Sequence, residues 1–274
     1  MIPSKPSLDW VRQGEGAEGV ERLEAFFGGH GYAPHRHDTY AVGYTVSGVQ
    51  SFKYRRTQQH GLPGTVLVLH PDELHDGQAG TAEGFRYRMA YVSPWHIQQM
   101  LGGTSLPFID GGVSRDPRLR AAIALLLQRL HARPDPLQHL DALHDLARSL
   151  VAAAGRPQTK TRPDFFAVAR AREYMLDRLN QGVTLDDLAS VAGTDRWQLS
   201  RDFRAVLGTS PYRFLTMRRL DRVRALLVKG APIALAALEA GFYDQSHMAR
   251  HFASVYGSPP ARWLQRLGRG PHGR

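Results

Sequence analysis

Apolar and polar positions alternate in short runs between residues 31 and 95. Tyr40–Val46, Gln50–Tyr54, Thr65–Leu69 and Phe85–Val92 are rich in Val, Tyr and Phe, and turn residues such as Ser47-Gly48 and Pro63-Gly64 separate them. Many short strands broken by glycine turns predict a small sandwich or barrel. The period then lengthens. Leu119, Ile123, Leu126 and Leu130 fall on one face of a helix over 117–131. After Arg133-Pro134-Asp135-Pro136 a second helix is predicted, with Leu137, Leu140, His144, Ala147 and Val151 on its inner face. A short proline-bearing link between two helices predicts an antiparallel hairpin. The hairpin either covers the strands only or uses its outer leucines, Leu127, Leu143, Leu146 and Leu150, to pair with a second copy. A homodimer through residues 117–154 is the expectation taken. Gly155 to Pro163 is polar and carries two prolines with no apolar period, which predicts a linker.

Beyond the linker a helix is predicted over Phe165–Asn180, and then one pattern occurs twice. Leu199 to Leu215 reads LSRDFRAVLGTSPYRFL, and Met248 to Leu264 reads MARHFASVYGSPPARWL. At an offset of 49, Arg201 meets Arg250, Phe203 meets Phe252, Gly208 meets Gly257 and Pro211 meets Pro260. Each copy follows a short apolar helix ending in Ala-Gly, at Gly193 and Gly241, where the offset is 48, so the second turn is one residue longer. Short helix, tight turn and second helix is the layout that places a helix in a DNA groove. In the first copy Thr194 or Asp195 can cap a helix running from about Arg196 to Val206. Leu199, Phe203 and Val206 turn inward, leaving Arg196, Trp197, Gln198, Ser200, Arg201 and Arg204 for solvent or DNA. In the second, about Asp244 to Val255, Met248, Phe252 and Val255 turn inward and Gln245, Ser246, His247 and Arg250 face out. Arginine can grip guanine O6 and N7, and glutamine adenine N6 and N7. Trp197 packs either on the DNA or on its own domain, and Arg201 and Arg250 contact either bases or phosphates. Pro211–Lys229 between the copies predicts a stiff helix of roughly 27 Å.

Charge follows the same division. Residues 1–160 hold 17 Lys and Arg against 15 Asp and Glu, net +2; residues 161–274 hold 18 against 10, net +8. Such a basic half points to a polyanion. The absence of cysteine excludes disulfides, thiolate metal sites and cysteine nucleophiles, including methyl-transfer DNA repair, and fits a reducing cytoplasm. The first sixteen residues lack the pattern of a secretory leader, and no run approaches the roughly 18 apolar residues of a membrane span.

Residues 165–267 resemble the DNA-binding domain of the AraC/XylS family of bacterial transcription regulators. Leu188-Ala189, Gly193, Leu199-Ser200-Arg201, Phe203, Gly208, Ser210-Pro211, Arg219, Ala240-Gly241-Phe242, Ser246, Arg250-His251-Phe252, Gly257 and Pro260 carry the resemblance; Ala236-Ala237 and Met248 depart from it. The resemblance implies base contacts by Arg196, Trp197, Ser200 and Arg201 and by Gln245, Ser246, His247 and Arg250. It also implies RNA polymerase as a partner and activation as the outcome.

Ten of the thirteen histidines precede residue 150. His35-x-His37 followed by His75 opens a metal reading, since imidazoles two apart on a strand point to one side. The pattern is similar to a cupin barrel, but the glutamate a metal-binding cupin usually adds after the H-x-H is missing, and Asp38 is adjacent to His37 and cannot point the same way on a regular strand. The expectation taken is no metal and no cofactor. A small organic effector is expected instead, lined by His35, His37, Tyr40, Tyr44, His70, His75, Arg86 and Tyr91. The chain is thus expected to be α+β: a cupin-like barrel with a helical hairpin in 1–154, a linker at 155–163 and an all-α domain with two helix-turn-helix units in 164–274. The function expected is an effector-controlled regulator that binds double-stranded DNA. A metal-dependent cupin enzyme with a DNA-binding tail is the alternative.

Overall fold

The computed structural model describes residues 9–155 and 162–267. Most of the expected linker lies outside them, as do the first eight residues, on which part of the leader reading rests. The chain divides into two units, residues 1–102 with 106–158 and residues 103–105 with 159–274.

The first unit begins with β1 (Trp10–Gln13), β2 (Val20–Phe27), β3 (His30–His35), β4 (Tyr40–Gly48), β5 (Gln50–Tyr54), β6 (Thr57–Gly61), β7 (Val66–Leu69), β8 (His75–Ala79) and β9 (Phe85–Val92). Helix α1 (Pro94–Leu101), the short β10 (Val113–Ser114), α2 (Pro117–Leu126) and α3 (Pro136–Ala154) follow. The strands make two antiparallel sheets, β1-β2-β9-β4-β7-β10 and β3-β8-β5-β6. This is cupin-like, but hydrogen bonding does not close it into a barrel. Phe52, Tyr54, Leu67, Phe85, Tyr87 and Met89 pack into one core that draws on strands of both sheets. The other face of the six-stranded sheet, with Tyr40, Val42, Val66, Val68, Ala90 and Val92, packs against all three helices. Both Asp-Pro pairs start helices: Asp116 accepts hydrogen bonds from the Arg118 and Leu119 amides, and Asp135 from those of Leu137 and Gln138.

Two features of the hairpin differ from the sequence reading. The first helix stops at Leu126 rather than His131, because the chain turns there and its freed carbonyls are taken by one buried side chain. Arg22, 5% exposed, donates to the carbonyls of Leu126, Gln128 and Ala132, the last at 2.9 Å, and to Glu15 O at 2.7 Å. The second difference is which face of α3 turns inward. Leu143, Leu146 and Leu150 are buried in the unit's own core, as is Leu127, whereas Leu137, Leu140 and Val151 are exposed. Both stripes satisfy the helical period. The buried stripe carries three leucines with Ala142; of the face expected to turn inward only Ala147 is buried, and it includes His144, whose side chain is half-exposed. The leucines expected at a dimer interface are therefore internal.

The second unit holds α4 (Phe165–Asp177), α5 (Leu185–Ala192), α6 (Arg196–Leu207), α7 (Pro211–Val228), α8 (Ile233–Glu239), α9 (Gln245–Tyr256) and α10 (Pro260–Leu267). Thr184 and Asp187 form a capping box at α5, Ser210 caps α7, and Pro211 opens it. Met217, Leu220, Val223 and Leu227 of α7 share a core with Met248, Phe252 and Val255 of α9. No helix among the described residues is long and apolar enough to cross a membrane.

Candidate DNA-reading helices and ligand site

In α6 the cap is Asp195, which accepts from the Trp197 and Gln198 amides; in α9 the equivalent Asp244 accepts from the His247 amide. Both helices end on a left-handed glycine, Gly208 at φ 71° and Gly257 at φ 67°, a conformation in which a Cβ is strained. Leu199, Phe203 and Val206 are buried on α6, and Met248, Phe252 and Val255 on α9. The opposite faces carry the polar residues expected from the sequence.

Those residues are not equally free. Arg196 is exposed, lies 3.6 Å from Asp186 and stacks on the Trp197 ring at 5.2 Å. Trp197 is 63% exposed rather than packed into its own domain. Gln198 has both ends of its amide engaged: Nε2 donates to the buried Asp202 at 2.8 Å, and Oε1 accepts from Arg201 Nη2 at 2.7 Å. Arg204 donates to Ser200 O at 3.1 Å and Ser200 Oγ at 2.5 Å. Gln245, Ser246 and Arg250 are exposed. His247 Nε2 lies 3.0 Å from His251 Nε2, a bond that needs one proton between two rings. Burial, and then the charges of His247, Arg213 and Arg250, lower the His251 pKa.

Two exposed aromatics escaped the sequence reading. Tyr243, 89% exposed, immediately precedes the α9 cap, and Tyr212, 61% exposed, lies in the first turn of α7. The offset of 49 aligns Tyr243 with Thr194, which is the signal that could have found it. The arginine excess is also partly structural. Arg219 donates to Leu179 O and Gln181 O, both at 2.7 Å, and Arg224 stacks on Tyr256 and Trp263.

In the first unit the eight expected lining residues fall into separate places. His35, His37 and His75 converge, with one nitrogen of each ring within 4.8 Å of the others. Tyr91 stands edge-on to His37 at 5.3 Å, and Tyr32, missed by the sequence reading, edge-on to His35 at 5.1 Å. Burial lowers the pKa of all three histidines, His37 to about 3, so the rings are neutral at pH 7. Tyr40 and Tyr44 instead belong to the helix-facing core, and the Tyr40 hydroxyl donates to Pro107 O at 2.7 Å. His70 is buried with both nitrogens used: Nε2 accepts from the Ile109 amide at 2.9 Å and Nδ1 bonds the Tyr54 hydroxyl at 2.6 Å. Its pKa is lowered to about 3, by burial first and then by Arg55. Arg86 and Arg88 pair with the buried Glu24, away from the trio.

Comparison with known proteins gives matches over both units. Residues 19–147 match a model of the AraC-like ligand binding domain, and residues 188–266 match a helix-turn-helix domain. The chain is 25% identical over 233 residues to an uncharacterised HTH-type transcriptional regulator, YbfI of Bacillus subtilis, covering 78% of this chain and 80% of that one. It is 22% identical to LumQ of Photobacterium leiognathi, a probable transcriptional regulator, over 77% of this chain and 92% of the relative. The crystal structure of ToxT from Vibrio cholerae superposes with a TM-score of 0.63 at 13% identity, over 90% of this chain and 98% of that one.

Proposed function

The chain belongs to the AraC family of transcription regulators, with an AraC-like ligand-binding domain ahead of its helix-turn-helix domain, and we propose that it reads DNA through two short blocks of bases. The observation that carries this is the pairing of α6 with α9. Each is capped by aspartate, buried on its apolar face and closed by a left-handed glycine, and each presents a polar first turn. Arg196, Trp197, Ser200 and Arg201 are the base readers of the first block, and Gln245, Ser246, His247 and Arg250 those of the second. Gln198 acts by holding Arg201, and Arg204 contacts the backbone. Helix α7, of 18 residues, spans roughly 27 Å at 1.5 Å per residue, which suits major grooves one turn apart.

The sensing domain is residues 1–154, the linker 155–163 and the DNA-binding domain 164–274. A small organic effector binds in the first, near the histidine and tyrosine group, and shifts an equilibrium between two states of the regulator. The chain acts in the cytoplasm without catalysis of its own, as an activator that contacts RNA polymerase. It pairs with a second copy through the outer face of the hairpin, where Leu137, Leu140 and Val151 are exposed.

The test is selection of bound duplexes from a random library by the full-length protein at physiological salt. Enrichment of two short blocks about one helical turn, roughly 10 base pairs, apart is expected. Salt-sensitive binding with no enriched sequence, with and without cell extract as an effector source, would overturn the two-block reading.

A further inference from the structure

We propose that His35, His37 and His75 bind one divalent first-row transition-metal ion. The inference goes beyond the regulator reading and does not depend on it.

The geometry has three independent parts. The first is convergence, with one nitrogen of each ring within 4.8 Å of the other two. A metal bound roughly 2.1 Å from each imidazole would set those nitrogens about 3.4 Å apart, so modest ring rotations complete the site.

The second part is orientation. His35 Nδ1 bonds Ala33 O at 2.9 Å, His37 Nδ1 bonds Thr39 O at 2.9 Å, and His75 Nδ1 bonds Glu73 O at 3.0 Å. A carbonyl oxygen can only accept, so each Nδ1 carries the proton and each Nε2 keeps its lone pair. Fixing the far nitrogen on a carbonyl is how metal-ligating histidines are held and their basicity raised. His37 Nε2 is moreover buried with no hydrogen-bond partner, a costly state for a polar atom that nothing binds.

The third part is the join between the two segments. The Asp72 amide donates to His37 O at 2.7 Å, and Arg36 Nη1 donates to Asp72 O at 3.2 Å. Asp72 itself sits at φ 64°, a strained setting for a residue with a Cβ. These contacts fasten the segment Arg36–His37, which runs off the end of β3, to the loop that delivers His75.

The donor set selects the ion. Imidazole nitrogen suits Zn, Ni, Co, Cu and Fe and is a poor match for Mg or Ca. Three histidines are a sufficient protein set without a carboxylate, and they leave at least one position open to water or an anionic donor. The missing cupin glutamate, which argued against a metal in the sequence, therefore does not remove the site.

The experiment uses the full-length protein, made without a metal-affinity column and dialysed against chelator, then titrated with Zn²⁺ and with Co²⁺. One ion per chain is expected, with visible Co²⁺ bands and X-ray absorption at the zinc edge showing three imidazoles. His35→Ala and His75→Ala should each weaken Zn²⁺ binding by at least about 100-fold, more than an outer-shell loss. The pair His247→Ala and His251→Ala should leave it unchanged. Because loss of a buried histidine can unfold the unit, the absorption measurement on the unaltered chain decides independently of any variant. Substoichiometric uptake, fewer imidazoles than three, binding that survives His75→Ala in a folded chain, or binding lost with His247 and His251 would each overturn the proposal.

Discussion

Gln198→Ala tests how the first reading helix addresses DNA. Each end of the side-chain amide is already held within its own helix, Nε2 by Asp202 and Oε1 by Arg201. The reading tested is that Gln198 acts on DNA through Arg201. Immobilising a long side chain at an interface costs about 0.5–1.5 kcal/mol, and the bond to Gln198 meets part of that cost before DNA arrives. Gln198→Ala returns that cost to the binding step, a loss of at most about 2- to 12-fold at about 1.4 kcal/mol per decade. Arg201→Ala should cost about 1–3 kcal/mol, about 5- to 150-fold, and relax one base position. The double variant should bind about as weakly as Arg201→Ala alone, which makes the coupling between the two about 0.5–1.5 kcal/mol. The assay is competition anisotropy on the selected duplex at fixed salt. Stoichiometric titration fixes the active fraction, since Gln198→Ala also removes an amide donor from the buried Asp202. If the two losses simply add, Gln198 contacts DNA itself and the reasoning is wrong. If Arg201→Ala weakens all sequences equally and lowers the salt slope by about one, Arg201 is a phosphate contact.

Three further outcomes are expected. Arg22→Met should destabilise the first unit by about 2–4 kcal/mol in urea unfolding, since two well-formed charged bonds from a buried guanidinium to backbone carbonyls are lost and only partly offset by relief of burying the charge; a loss under about 1 kcal/mol would show that the freed carbonyls find water. His70, whose folded pKa of about 3 lies below its ordinary 6.5, adds stability above pH 6.5 that is lost as pH falls from there toward 3. His70→Gln should flatten the acid side of the stability profile by up to about 1.4 kcal/mol per pH unit, and an unchanged slope would show that the unfolded state is no easier to protonate at this residue. A fragment starting at residue 162 should fold, bind DNA and ignore effector; an unfolded fragment would place the boundary elsewhere.

The two helices α6 and α9 were legible to within a residue or so because local chemistry repeats there. Asp195 and Asp244 start helices, Gly208 and Gly257 end them, and one offset relates both. Strand β2 was missed because its charged positions look solvent-facing, yet Arg22 and Glu24 are buried on carbonyls and arginines distant in sequence. The faces of α3 were exchanged because periodicity gives the angle between residues and not the direction of the core. The histidine trio shows a different limit. The sequence offered the residue types, but the tautomers depend on the carbonyls of Ala33, Thr39 and Glu73, which no side-chain pattern records.

The two helix pairs are near copies with one inserted residue between them in kind. Thr194 alone separates the left-handed Gly193 from its cap Asp195, whereas Phe242 and Tyr243 separate Gly241 from Asp244, Phe242 buried and Tyr243 bare. A pair of blocks read by one such chain has a left and a right, so inverted in place the same base pairs would meet the opposite ends of the protein. Two copies related by a twofold axis would bind a palindrome only if it were built from two such directed half-sites. The direction of each half-site is then part of what a promoter must specify, alongside its sequence.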